Sequence, residues 1–474
     1  MLNGIDVDTG DYLTPQLALA DVAGALRGDP TPPPGVRELR RRRQDDEDHL
    51  GVVYGRDPQD LASVGWGAVT SPELDPAVLE ALAPLLRLRE EQAGDLFRRM
   101  EVRPGEDKED FLARYGMGPS VADPRRVPYY LLLVGSPDQI PFDVQYQLGV
   151  SYAVGRLDLE DPEAYAAYAA TVVAAERSPN GQAEGDRTPS ARRVHLFATR
   201  HPADTPTGLS AARLVEPLHG ELREAARAWQ VGTDIGAGAT RARLEDLLTG
   251  PEAPDLLFTA GHGVGGTAAH RDLAGALLCQ DWPGPLAARG PVDEGQYLAA
   301  HHLPAGTPVG PRVVFSFACL GAGTPHVSDY PGGPDGGGEL AAIGCGFTAR
   351  LPQRLLGGPA GGALAFVGHV DRVWSCSFLW KGLAAQVTPF QSTLLALMDG
   401  ARLGSAMESV TSRYAEIATE LTRRMDGFRR YGKRIDDADL VGLWTATHDA
   451  RAYVVLGDPA VRVAPRGCAG LVTG

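Results

Sequence analysis

Cysteine is scarce in this chain. Five occur among 474 residues (Cys279, Cys319, Cys345, Cys376 and Cys468), an odd number with no CxxC spacing. That pattern suits reduced thiols rather than a disulfide framework or a structural zinc site. No run of about 18 apolar residues occurs, which removes a membrane span. The start, Met1-Leu2-Asn3-Gly4-Ile5-Asp6-Val7-Asp8, lacks the positive flank and apolar stretch of a signal peptide, so a cytoplasmic protein is expected. Positive charge is in deficit too: the net charge is −15. Phosphate neutralisation needs clustered Lys and Arg, so neither nucleic acid nor a membrane is an expected partner, and a basic substrate fits better. GxSxG, P-loop and HExxH elements are missing. His301, His302, His326 and His369 carry no carboxylate-spaced pattern, so no metal is expected.

What is present is a large globular chain. Its length exceeds one ordinary core, 43% of residues are hydrophobic, and 58 Gly with 37 Pro imply many loops. Residues 1–50 read as an irregular leader: Thr31-Pro32-Pro33-Pro34-Gly35 is not helical, and Arg40–Arg43 is followed by Asp45-Asp46-Glu47-Asp48. Residues 51–245 read as an N-terminal helical and α/β subdomain, 246–465 as a second subdomain that carries the chemistry, and 466–474 as a tail. A helical stretch is expected over 75–115, with Leu82, Leu85, Leu86, Leu88 and Leu96-Phe97 as its apolar face. Short apolar strands follow at 129–135, 150–154, 194–199, 256–260, 313–317, 363–368 and 452–457. They alternate with helices at about 162–177, 209–229 and 392–425. Such alternation predicts an α/β fold with a mostly parallel sheet and helices on both faces.

Two of these strands end in reactive residues. Leu256-Leu257-Phe258-Thr259-Ala260 leads into Gly261-His262-Gly263, and Val313-Val314-Phe315-Ser316-Phe317 leads into Ala318-Cys319. As neighbouring parallel strands they would carry an imidazole and a thiol to one sheet edge, where open sheets bind ligands. An imidazole within reach can take the thiol proton and return it to a leaving amine. The Gly263 and Cys319 N–H groups are candidates for an oxyanion hole. The same glycines, Gly261–Gly266, also satisfy GxGxxG, with Asp281 where a ribose-binding acid would be sought. The segment after them does not open cleanly into a helix, and this dinucleotide alternative leaves Cys319 unexplained. No cofactor is therefore expected. Cys345 sits in a Gly-rich turn with no nearby histidine and Cys376 lies beyond a strand, so both are poor competitors as nucleophile.

The His262 and Cys319 segments resemble the caspase-like superfamily of cysteine peptidases. Tyr130-Leu131-Leu132-Leu133-Val134-Gly135 with Ile140-Pro141, then Val154-Gly155-Arg156-Leu157, Gly361–Gly368 continuing to Trp374, and Leu456-Gly457-Asp458-Pro459 are similar in order to its gingipain-like branch. The likeness spans about residues 128–465. It implies a caspase-like three-layer α/β fold plus an N-terminal subdomain, with His262 as general base and acid and Cys319 as nucleophile. It further implies oxyanion donors at Gly263 and Cys319, and Trp374 as an aromatic wall of the specificity pocket. The acid that orients the histidine in some relatives would fall just before Val154, where Ser151 and Tyr152 stand, so a His/Cys dyad is expected. The family's secretion signal is missing, which fits a regulated intracellular endopeptidase, a defence or cell-death effector of bacterial type. A catalytically silent scaffold is the alternative.

Protein or peptide substrates are the expected partners, with an upstream activating protease or an inhibitor for control. Cleavage after Arg or Lys needs a carboxylate in the pocket, and Asp158, Asp161, Asp329 and Asp335 are the candidates. The glycine-rich loop at 321–338 beside the nucleophile reads as a substrate groove or lid. The Arg40–Arg43 leader and the 178–191 loop, with Arg187, Arg192 and Arg193 in or beside it, read as control points.

Overall fold

The computed structural model describes residues 5–8, 10, 55–118, 121–177, 192–265, 268–288, 290–330, 346–380 and 382–464. The Arg40–Arg43 leader, the 178–191 loop, Gly266, Asp335, Cys345, Cys468 and the 466–474 tail lie outside them.

Ten strands form one sheet: β1 (Trp66–Thr70), β2 (Phe97–Glu101), β3 (Tyr130–Val134), β4 (Ala153–Leu157), β5 (Arg192–Ala198), β6 (Trp229–Ile235), β7 (Leu256–Ala260), β8 (Val313–Phe317), β9 (Ala365–His369) and β10 (Tyr453–Gly457). Their order across the sheet is β2-β1-β3-β4-β10-β9-β8-β7-β5-β6. The sheet is mostly parallel, with β10 antiparallel to β9, and helices cover it, which is the α/β class that the alternation predicts. The six strands β3, β4, β7, β8, β9 and β10 are buried at every position. A strand covered on both faces can be apolar throughout, and these are the strands the sequence reveals.

Three strands went unread: the edge strands β2 and β6, and β1, which lies between β2 and β3 and is buried at four of its five positions. β2 reads Phe-Arg-Arg-Met-Glu and β6 reads Trp-Gln-Val-Gly-Thr-Asp-Ile, and both are largely half-buried. The stretch expected to be helical over 75–115 is therefore divided. Helices Pro76–Ala81 and Ala83–Ala93 end at Gly94, whose φ of 54° closes the second of them, and β2 follows. The helix expected over 209–229 runs without a gap over 205–225, as Thr205–Ser210, a π turn at Ala211–Val215 and Glu216–Ala225, after which β6 begins. β4 starts at Ala153 rather than 150, and the helix Phe142–Gly149 precedes it. Helix Pro162–Arg177 falls where the periodicity puts it.

β7 and β8 are in register residue for residue, Phe258 opposite Phe315 and Ala260 opposite Phe317. Phe315 and Phe317 pack edge-on against Phe390 of helix Thr388–Met398, with centroids 5.9 and 6.0 Å away, and Phe258 stacks on Phe315 at 5.3 Å. Alternate side chains turn to the opposite face, where the Thr259 hydroxyl donates to Ser316 Oγ at 3.1 Å. β5, from before residue 246, lies beside β7, and a single sheet thus runs through both halves of the chain. Where β4 meets β10, a Cβ at Gly155 would stand 2.2 Å from the Gly457 carbonyl oxygen, so only glycine lets these backbones touch.

A buried ionic knot ties the first helix layer to the last strand. Arg89 Nε meets Asp458 Oδ2 at 2.7 Å with neither side chain exposed, and Arg89 Nη2 reaches Glu176 at 3.1 Å. Asp458 Oδ1 also accepts the Trp66 indole N–H at 3.0 Å and the Ala460 N–H at 2.9 Å. Asp458→Ala would strand the buried guanidinium and the indole donor, at a cost of about 3–5 kcal/mol in urea unfolding. Asp458→Asn keeps an acceptor for Trp66 and should lose less. Equal losses in the two variants would show that the charge, which both remove, carries the whole effect and the neutral acceptor none.

Among the described residues no helix is long and apolar enough to cross a membrane.

Candidate active site

The shared register of β7 and β8 places His262 and Cys319 two residues beyond paired positions, Ala260 and Phe317, on adjacent strands. The Gly261 N–H continues the ladder to the Phe317 carbonyl at 3.2 Å. The approach tightens further at Gly263, where a Cβ would lie 1.8 Å from the Cys319 carbonyl oxygen and 3.4 Å from its nitrogen. Glycine is required there because the Cys319 backbone itself occupies the space. Gly263–Gly265 then forms a short strand that pairs with Ala276–Leu278, and among the described residues only a kinked 3-10 segment, Ala268–Leu273, lies between them rather than the α-helix a pyrophosphate site needs. Asp281 is used elsewhere: its carboxylate accepts the Arg241 N–H at 2.7 Å, at the start of helix Arg241–Thr249.

A carboxylate does meet His262, but not from the position before Val154. It is Asp204, in the turn after β5, whose Oδ2 lies 2.9 Å from His262 Nε2 with both side chains fully buried. Asp204 caps helix Thr205–Ser210, accepting from the Thr207 N–H at 3.3 Å and its hydroxyl at 2.5 Å, which fixes the carboxylate before it meets the ring. A carboxylate only accepts, so Nε2 carries the hydrogen and Nδ1 is the basic nitrogen of the neutral ring. The sequence did contain a signal for this acid: Asp204-Thr205-Pro206 is a capping aspartate before a first-turn proline, directly after a buried strand.

His201 and Trp282 enclose the same ring. His201 stacks on His262 with centroids 6.4 Å apart, and Trp282 stands edge-on to both at 4.9 and 6.3 Å. His201 Nδ1 is 3.0 Å from the Trp282 carbonyl, which fixes its hydrogen on Nδ1. Burial, together with His262 nearby, lowers the His201 pKa to about 4.

The thiol is held from the other side. The Val373 N–H points at Cys319 Sγ from 3.3 Å, a donor that favours negative charge on sulfur. Trp374 follows directly, half-buried, its ring 5.1 Å from that of Tyr330, and its N–H donates to Asp449 Oδ1 at 2.8 Å. Asp329 is in the same wall, buried, with Oδ1 2.6 Å from Arg451 Nη2 and 3.4 Å from His448 Nδ1. Asp158 follows β4, half-buried, with its carboxyl pushed up by burial despite Thr348, Arg156 and Arg350. Asp161 caps helix Pro162–Arg177 through the Ala164 N–H at 2.8 Å. Cys376 is a partly covered thiol whose pKa burial pushes well up.

One group of described residues brings metal-ligating atoms together, Glu294, His301 and His302. His302 Nδ1 accepts the Ala299 N–H at 3.0 Å, so its Nε2 bears hydrogen toward Glu294, 3.4 Å away, and offers no lone pair to an ion. His369 is buried with Nε2 2.9 Å from the Asp449 carbonyl, and His326 pairs with Asp138 at 3.1 Å.

No family model and no curated protein matches this chain. Among solved structures, one titled "Structure of Protease" aligns over 85% of this chain and 79% of that chain, at 14% identity and a TM-score of 0.49.

Two outcomes test the geometry. Gly263→Ala should displace the Cys319 backbone, cost about 1–3 kcal/mol in unfolding and change the rate at which Cys319 is alkylated; an unchanged rate would show that the contact does not set the sulfur. A histidine kept neutral by the fold takes up its proton on unfolding once the pH drops below about 6.5. The His201 contribution is therefore full above that value and is lost as pH falls toward 4, by about 3 kcal/mol. His201→Gln should flatten the stability profile over that window, as read by urea midpoints.

Proposed function

We propose that this chain is a cysteine endopeptidase in which Cys319 attacks, His262 moves the proton and Asp204 orients the imidazole. The observation that carries the reading is the one edge at which Asp204 fixes Nε2–H of His262 while Gly263 abuts Cys319. In the first step Nδ1 takes the thiol proton and the thiolate adds to the substrate carbonyl, whose oxygen is received by the Gly263 and Cys319 N–H groups. The C–N bond then breaks, the leaving amine takes the proton from Nδ1, and water, deprotonated by the same nitrogen, cleaves the thioester. The reading agrees with the resemblance to gingipain-like peptidases and adds an acid to the expected dyad.

A preference for Arg or Lys before the cut is part of the proposal. Its support is Asp329, which lies in the wall beside Trp374 and already accepts one guanidinium, that of Arg451. Fluorogenic peptides differing only at that residue test it: Arg and Lys peptides should be cut and Asp329→Ala should lower kcat/KM for them at least tenfold, whereas cleavage after Asp alone would overturn the preference. Cys319→Ala and His262→Ala should abolish turnover, and Asp204→Asn should lower kcat by about 10²-fold or more, because the ring loses its fixed tautomer.

A catalytically silent scaffold is the second reading, favoured by the complete burial of Cys319 and His262. A thiol-reactive peptide probe separates the two. Labelling that is lost in Cys319→Ala and kept in Cys376→Ala supports the peptidase, and no labelling of the wild type supports the scaffold.

A further inference from the structure

Two residues other than glycine near Cys319 have left-handed backbones, Leu320 at φ 56° and Asp371 at φ 72°. For a leucine that conformation is strained, and such strain persists only where the surroundings impose it. Here the two strained residues hold each other: the Leu320 N–H donates to the Asp371 carbonyl at 2.7 Å. Around them the segment after β8 is joined to the segment after β9. Ala322 N–H donates to the His369 carbonyl at 3.0 Å, Asp371 N–H to the Gly323 carbonyl at 3.3 Å, and Val373 N–H to the Cys319 sulfur at 3.3 Å.

The Asp371 side chain makes a second attachment. Its Oδ2 accepts the Ser328 hydroxyl at 2.6 Å and the Asp329 N–H at 2.9 Å, and Ser328 Oγ accepts the Tyr330 N–H at 3.1 Å. Tyr330 packs on Trp374 and, at 5.6 Å, on Trp444. One buried residue therefore fixes the nucleophile's turn through its backbone and the aromatic wall through its carboxylate. A carboxylate in a dry site costs free energy unless donors or a positive charge meet it; besides the neighbouring Arg372 charge, the two hydrogen-bond donors found among the described residues both come from the wall.

We propose that Asp371 is a positioning residue that couples the order of the 328–330 wall to the placement of the Cys319 sulfur. This rests on the peptidase reading only for its consequence in turnover, since the mechanical link is measurable without it. In that link, anything that moves Ser328 or Asp329 moves Asp371, and its carbonyl carries the shift to Leu320 and its neighbour Cys319.

Three variants separate the two attachments. Asp371→Asn keeps an acceptor and tolerates the left-handed backbone, Asp371→Gly keeps the backbone but removes the carboxylate, and Asp371→Ala loses both. Amide hydrogen exchange on the full chain is the first readout. In Asp371→Gly both the Asp329 N–H, bonded to the carboxylate, and the Leu320 N–H, bonded to the carbonyl, should exchange at least tenfold faster, with Asp371→Asn near wild type. The second readout is the alkylation rate of Cys319 by iodoacetamide, a reagent too small to need the wall, expected to change at least threefold in Asp371→Gly and to recover in Asp371→Asn. Faster exchange at Asp329 with Leu320 protection and alkylation unchanged would overturn the coupling. If both amides respond together while the wild type resists every peptide probe, the coupling stands and the peptidase reading falls.

Discussion

The site depends on one contact, the packing of the Gly263 backbone against the Cys319 carbonyl. Two parallel strands in register lie about 4.8 Å apart, and side chains beyond their ends would ordinarily push the chains away from each other. A residue with no Cβ removes that obstacle on the His262 side. The remaining supports follow from it: a cap that fixes Asp204 against His262, a Val373 N–H set on the sulfur, and a strained turn at Leu320 that lets the chain leave β8 without lifting Cys319 off its neighbour.

Asp204 and Val373 act on the site from opposite sides of the β7–β8 pair. Asp204 comes from the turn after β5, the strand beyond β7, and Val373 from the turn after β9, the strand beyond β8. Four neighbouring strands each contribute one part at their carboxyl ends, as parallel sheets favour. None of these parts is near another in sequence. The geometry is therefore a property of strand order, and a defect in any of the four strands would be felt at the sulfur.

Strand order also decides what could be read from the sequence. Strands covered on both faces must be apolar throughout, so β3, β7, β8, β9 and β10 were legible, and so were His262 and Cys319 at the ends of two of them. Edge strands β2 and β6 are only partly covered and carry Arg98, Arg99, Gln230 and Asp234, so they lack the apolar run that marks a strand. With β6 unseen, the turn after β5 gave no reason to search for an acid, although Asp204-Thr205-Pro206 announced a helix cap. Asp371 left still less trace, because a left-handed aspartate looks in sequence like any loop residue.

The segments that carry the family likeness are mostly framework. Arg156 of Val154-Gly155-Arg156-Leu157 is buried and donates to Gln145 at 3.0 Å and to the carbonyls of Gly135 and Ile140 at 2.9 and 2.6 Å, so it binds together the turn after β3. Asp458 of Leu456-Gly457-Asp458-Pro459 anchors Arg89 and Trp66. A buried charge inside such a motif holds framework elements together, whereas Asp204 and Asp329, buried as well, lie in loops outside the motifs. Motifs of the first kind therefore point to the scaffold on which a site is built. The acids around the candidate site are of the second kind, and those have to be read from the geometry of this chain.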